Sequence, residues 1–233
     1  MNFENKLISG LFVKRYKRFF IDVRLKNKVI TAHCPNPGSM MGLLNKNSKV
    51  WITESLNLKR KLKYTLQIIK DRKSKVGVNT HITNKIVFEA LQKNLIKDFK
   101  KGIKIINEKR FGLNTRFDFY LEDKKKKIFL EVKNVTLKRK NQVAEFPDSI
   151  TSRGTKHLNE LINAVKKGYD SYLLFVIQRE DCNKFKIAKD IDIDYSKTLI
   201  KAVKNKVKIL CYDCKFSSKG IKLNNKIKFH INE

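Results

Sequence analysis

The stretch TRFDFYLEDKKKKIFLEVK, residues 115–133, decides the fold. Its ends are rich in aromatic and β-branched residues, and its middle, from Glu122 to Lys127, is a short charged turn. That pattern predicts two strands, 115–121 and 127–133, closing as a hairpin. Period-two alternation sets Phe117, Phe119 and Leu121 on one face and Arg116, Asp118 and Tyr120 on the other. Glu131 and Lys133 share a face of the second strand. If Glu122 opposes Lys127, Asp118 falls directly opposite Glu131, with Cα atoms about 4.5–5.5 Å apart. Two carboxylates that close repel, which raises a pKa unless a cation sits between them. A hard divalent cation, Mg²⁺ or Mn²⁺, suits such oxygen ligands. With Lys133 beside them, the three residues make a minimal kit for phosphodiester hydrolysis. The metal would polarise a phosphoryl oxygen and acidify its water, and the lysine would offset developing charge. A cross-strand charge cluster on a solvated surface is the competing reading. The scarcity of acids, 22 Asp+Glu in 233 residues, makes two on one face more telling.

Downstream of this hairpin, a helix is predicted over 151–167, with Leu158, Leu161, Ile162 and Val165 on one stripe and Gly168 to end it. Then come an apolar strand at 171–178, a helix at 194–205, a strand at 207–212, and a tail hairpin around Asn224-Asn225. Upstream, a helix is predicted over 83–96, with Ile86, Val87, Ala90, Leu91 and Leu95 as its stripe, and a strand at 103–108. Residues 79–233 thus read as a mixed α/β sheet. Residues 1–78 differ: short strands at 18–25, 28–33, 49–54 and 62–69, and a Pro/Gly loop at 34–42, suggest a small OB-like β-barrel.

Other candidates follow from these elements. Glu89 flanks the stripe of the first helix, where it could lean in as a third metal ligand or serve as an ordinary boundary residue. The segment EFPDSITSRGTKHLNE, 145–160, leads into a helix N-terminus, which binds phosphate readily through free N–H groups. Arg153, Lys156 and His157 would add to that site. A plain Ser/Thr cap explains the same segment, and His157 beside Leu158 and Leu161 also fits a packing role. In the barrel, Arg15, Lys17 and Arg18 interleave with Tyr16, Phe19 and Phe20, as on surfaces that stack bases and neutralise backbone. Alternation buries Phe19 or Phe20, and Trp51 is expected in the core. Asn36 and Ser39 sit in the loop that could approach a phosphate through its backbone.

The formal charge is +31, from 53 Lys+Arg against 22 Asp+Glu. Such a field favours polyanions. The expected partner is DNA, single- or double-stranded, with RNA as a further option and a homodimer open. Basic residues are spread along the chain rather than set on one amphipathic helix, so no membrane partner is expected. No run approaches the roughly 20 apolar residues of a membrane span, and no signal peptide is seen. Of four cysteines, only Cys211 and Cys214 are close. With no second pair nearby they read as buried thiols in a reducing, cytoplasmic setting rather than as a zinc site.

Several stretches, in order along nearly the whole chain, resemble the sugar fermentation stimulation protein A family. They are RYKRFFIDV (15–23), AHCPNPGSMMGLL (32–44), VGVNTHITNKIVFEAL (76–91), TRFDFYL (115–121), EVKNVTL (131–137), FPDSITSRGTKHLNEL (146–161), LLFVIQRED (173–181) and IDIDY (191–195). The resemblance implies a DNA-binding protein with an N-terminal OB-like domain and a C-terminal domain like the PD-(D/E)xK restriction-endonuclease fold. Asp118 would match the motif aspartate, Glu131-Val132-Lys133 the E-x-K, and Glu89 a helix acid of such nucleases. The family name implies an alternative: a non-enzymatic transcriptional regulator linked to sugar (maltose) metabolism.

Overall fold

The computed structural model of the chain describes residues 1–57, 59–112 and 115–230. The N-terminal unit has six strands: β1 (Ile8–Tyr16), β2 (Phe20–Leu25), β3 (Lys28–His33), β4 (Lys49–Glu54), β5 (Tyr64–Asp71) and β6 (Ser74–Gly77). They run in the order β3-β2-β1-β4-β5-β6, and a parallel pairing of β3 with β5 closes the barrel. Closure removes the open edges that an antiparallel meander would leave for aggregation. Phe12, Ile21, Val23, Val50, Ile52 and Leu66 fill its interior. The sequence reading lacked β1 and began β2 two residues early. Lys17 and Arg18 instead form the β1–β2 turn, both with positive φ.

A 3-10 turn at Thr80–Ile82 leads into α1 (Thr83–Gln92). This helix stops short of the predicted 96 because Asn94 adopts a φ of 52°, which leaves Leu95 exposed beyond its end. Then follow β7 (Lys104–Phe111), β8 (Thr115–Glu122), β9 (Lys127–Val135), β10 (Leu137–Lys140), β11 (Gln142–Phe146) and α2 (Ser152–Lys166). The chain continues through β12 (Asp170–Ile177), β13 (Cys182–Ile187), α3 (Ile193–Lys204), β14 (Lys208–Phe216), β15 (Ile221–Lys226) and β16 (Lys228–His230). The main sheet is ordered β15-β14-β12-β9-β8-β7, and β9, β12 and β14 are parallel. The helices α2 and α3 are their crossovers, which is why these strands are near-continuous apolar runs. One face of the sheet packs on α1 and the barrel's Ile68, the other on α2, α3 and a second, four-stranded sheet.

That second sheet, β10-β11-β13-β16, was not expected from the sequence. The tail hairpin is also corrected. Its turn lies at Ser217–Gly220, where Ser217 N–H donates to Gly220 O at 2.9 Å, and Asn224 and Asn225 belong to β15. All four cysteines are free and buried. Cys211 and Cys214, three apart on β14, fall in the cores on opposite sides of the sheet, so the C-x-x-C spacing brings no pair together. Among the described residues no helix is long and apolar enough to cross a membrane.

Candidate active site

The β8–β9 hairpin has the expected register, Glu122 against Lys127, but the ladder stops at Phe119 against Leu130. On the other edge of β8, pairing with β7 runs through Asn107–Phe119 and Lys109–Phe117 and skips Asp118, where Glu108 has a φ of 53°. The strand is therefore kinked at Asp118. One consequence corrects the simple alternation: Phe117 turns into the α2 core with Tyr120, while Phe119 and Leu121 face α1. A second concerns the carboxylates. Asp118 is not the ladder partner of Glu131. Its Oδ2 accepts from the Val132 N–H at 2.8 Å, and its Oδ1 from the Asn84 side chain of α1 at 2.8 Å.

Glu131 lies on β9 between Leu130 and Val132, both of which face α1, and so points toward α2. It is 2% exposed. Its Oε1 accepts from Lys133 Nζ at 2.7 Å and meets His157 Nδ1, and its Oε2 has no partner. Burial works to raise the Glu131 pKa, but the Lys133 charge and the His157 hydrogen bond outweigh it and hold the carboxyl below the usual range. Asp118 goes the other way. Burial, then the Glu131 charge, pushes it up to about 6 against the pull of its two donors and Lys133. Two neighbouring carboxyls whose environments drive them apart are a mark of acid–base or metal chemistry.

His157 is buried on α2, one turn beyond Arg153, whose Nε lies 3.5 Å from His157 Nε2. Thr151 caps the helix by accepting from Gly154 N–H at 3.1 Å, so the cap and the approach of His157 to Glu131 are both realised. Arg153 and Lys156 are exposed on the same helix. Glu89 is not brought to the site. It pairs with the Met1 amino group and with Lys93. Asn84, five residues earlier, is the α1 side chain that reaches Asp118. Among the described residues no group of three or more His, Cys, Asp or Glu is clustered to hold a metal. Two carboxylates remain, Asp118 and Glu131 with its free Oε2. That set fits Mg²⁺, which is commonly held by one or two protein carboxylates, with water and phosphate oxygens completing its shell.

A cleft of about 690 Å³ opens between barrel and sheet domain, lined by Arg15, Arg18, the 36–39 loop, Glu145 and residues 146–151. Arg15 has a definite task there. It donates to the carbonyls of Asn36 at 2.7 Å, Gly38 at 3.0 Å, Ser39 at 3.2 Å and Arg18 at 2.8 Å. Asn36 is buried and accepts from Gly38 N–H, and the Ser39 hydroxyl donates to Asp148 O at 2.7 Å. These three hold the loop and dock it on the second domain, whereas Lys17 and Arg18 are exposed. Neither Phe19 nor Phe20 is buried: Phe19 is exposed and Phe20 stacks on Tyr16. Trp51 is half-buried, with Lys49 and Lys75 over its ring.

Two family models match the chain: the sugar fermentation stimulation protein N-terminal OB domain over residues 13–78 and its RE domain over residues 81–220. The chain belongs to the SfsA family. A sugar fermentation stimulation protein homolog from Pelagibacter ubique is 54% identical, over 98% of each chain. Another, from Bartonella henselae, is 40% identical over 95% of each. A solved structure of SfsA from Pyrococcus furiosus, in complex with Ca²⁺, superposes with a TM-score of 0.89 at 25% identity, covering 99% of this chain and 98% of that one. Within the SfsA family fold, Asp118 and the Glu131–Lys133 pair lie on the hairpin strands of the RE domain, with Asp118 tied to the first helix through Asn84.

Proposed function

We propose that this SfsA-family protein is a divalent-metal-dependent nuclease acting on DNA. The observation that carries the reading is Glu131: a buried carboxylate with one oxygen held by Lys133 and His157, and the other left without a partner beside Asp118. A buried polar atom without a partner costs about 1–3 kcal/mol, so its retention calls for a ligand. Asp118 and Glu131 would hold the ion. When bound, it supplies Lewis-acid activation of a phosphoryl oxygen and of water. Lys133 is placed to meet charge on the phosphate. His157 keeps the Glu131 carboxylate in one orientation, and Arg153 and Lys156 line the approach with positive charge. The Ca²⁺ complex of the relative supports a divalent site in this fold.

The test is cleavage of labelled single-stranded and duplex DNA with Mg²⁺ or Mn²⁺, comparing wild type with Lys133→Ala. Loss of metal-dependent products in the variant, by at least about a hundredfold, is expected for removal of a group that stabilises transition-state charge. A second reading has its own observation: Lys133 already pairs with Glu131, and His157 hydrogen-bonds it, without metal. A DNA-binding regulator on a nuclease scaffold would bind without cleaving any substrate, and Lys133→Ala would leave that binding unchanged.

A further inference from the structure

Between the barrel and α1 lies a short stair of rings. Phe19, in the β1–β2 turn, is 43% exposed, and its ring stands 6.3 Å from that of His33, tilted by 32°. The His33 ring is 6.2 Å from His81, tilted by 45°. His33 is half-buried and His81 exposed. Neither imidazole makes a hydrogen bond among the described residues. The three rings neighbour one another in a row, with Phe19 and His81 exposed at its two ends.

Cations flank both ends. Arg18 precedes Phe19 in the turn, and Arg60 lines the same hollow of about 440 Å³ as His33 and His81. Burial first, then the Arg60 and His81 charges, lowers the His33 pKa, which keeps that ring neutral at physiological pH. The His81 end of the stair lies close along the chain to a residue that contacts one of the carboxylates. His81 lies in the turn that enters α1, and three residues on, Asn84 donates to Asp118. That is about one helical turn, roughly 5 Å along the axis.

We propose that Phe19, His33 and His81 form a stacking track for unpaired bases, which leads a single strand of nucleic acid to Asp118 and Glu131. The destination of the track rests on the nuclease reading; the binding does not. Duplex bases already stack on one another and offer only their edges, so exposed rings add affinity for unpaired bases alone. Every base has a π-face, which makes such a track tolerant of sequence. The phosphates of the same strand would lie along Arg18 and Arg60.

The experiment is fluorescence anisotropy in EDTA, with labelled oligomers of about twelve nucleotides, a length within the usual span of one barrel. The probes are oligo-dT, oligo-U and a mixed-sequence duplex. The proteins are wild type, Phe19→Ala, His81→Ala, the double variant and Phe19→Trp, each checked for an unchanged melting temperature. Each alanine variant should weaken single-strand binding by roughly fivefold to a hundredfold, the size of one base stack. Duplex binding should stay within about twofold, the salt slope of Phe19→Ala should match wild type because that substitution removes no charge, and Phe19→Trp should bind like wild type. Equal loss on oligo-dT and oligo-U places recognition in the bases; a loss on one alone names that strand as the ligand. Unchanged single-strand affinity in the double variant, an equal loss on duplex, or a Phe19→Trp as weak as Phe19→Ala overturns the track. With metal absent, failure of cleavage leaves the track standing, and failure of the track leaves cleavage of duplex possible.

Discussion

At the scale of single residues, Asp118 is the position where stability and function pull apart. Its carboxyl titrates near 6 in the fold against an ordinary 3.8. For an acid whose folded pKa is raised, the stabilising contribution is complete below the unfolded value and is lost as pH rises through the folded one. Stability should therefore fall between about pH 4 and pH 6, by up to about 3 kcal/mol from this group. Asp118→Asn removes the titration. Urea denaturation should find the variant more stable than wild type by about 1–3 kcal/mol at pH 8 and equal to it near pH 4, with metal-dependent cleavage gone. A variant less stable at pH 8 would show that Asn84 and Val132 hold the carboxylate charged after all. A divalent ion should reverse the ranking, because it binds only the wild-type folded state. The nearness of Asp118 to Glu131 was legible in the sequence because hairpin register depends on local alternation and a short turn, whereas their direct opposition was not realised, because the ladder stops at Phe119 against Leu130. Asn84 and His157 were not legible as site residues. Each reaches its carboxylate through packing between elements distant in the chain, and a polar residue on a helix carries no mark of the strand it will meet.

At the scale of elements, α2 carries the active-site geometry. Its apolar stripe and its terminating Gly168, with a φ of 85°, could be read from spacing. Its start is fixed by two side chains: Thr151 caps Gly154 N–H, and Asp192, the N-cap of α3, accepts from Thr151 N–H at 2.8 Å. Gly154 lies where a Cβ would meet Thr151 Oγ1 at 2.8 Å and the Tyr195 ring at 3.0 Å, so α2 sits directly on α3 there. Thr151→Ala should cost about 1 kcal/mol, a fall of roughly 2–4 °C in melting temperature for a chain of this size. Cleavage should drop further than stability does, because His157 moves with the first turns of α2. Scanning calorimetry beside initial rates separates the two, and rates that hold while the melting temperature falls would detach the cap from the site. The elements missed from sequence are short, polar or irregular. β10, LKRK, and β13, CNKFKI, exist because β11 and its parallel partner β13 cover the α2–α3 face of the sheet, and nothing in their own alternation demands it. Likewise α1 ends early because Asn94 takes a left-handed conformation that a stripe of apolar residues does not report.

At the scale of the whole molecule, the two domains are joined by a buried charge cluster. Arg179, at the end of β12, is fully buried. Its guanidinium donates to Asp71 of the barrel, to Asp181 and to the carbonyl of Thr136, and Lys138 pairs with the same Asp181. Next to it, Gly77 N–H donates to Gln178 O at 2.9 Å, and a Cβ at Gly77 would meet Gln178 Oε1 at 2.2 Å, so the last barrel strand lies tightly against the residue that follows β12. The cluster holds the barrel, with Phe19, His33 and the Arg15-held loop, against the domain that carries His81, Asp118 and Glu131. Arg179→Met keeps the volume but strips the charge, leaving Asp71 and Asp181 facing an apolar group. Breaking one side of a buried ion pair costs about 3–5 kcal/mol, because the remaining charge stays desolvated. Part of that cost falls on the junction rather than on either core, so thermal unfolding should split from one transition into two, with the barrel melting first. Single-strand binding by the barrel should survive below that first transition while cleavage is lost, since the strand would no longer be led to the carboxylates. A single transition shifted down as a unit, with binding and cleavage falling together, would mean that Arg179 supports both cores and does not act as the hinge pin between them.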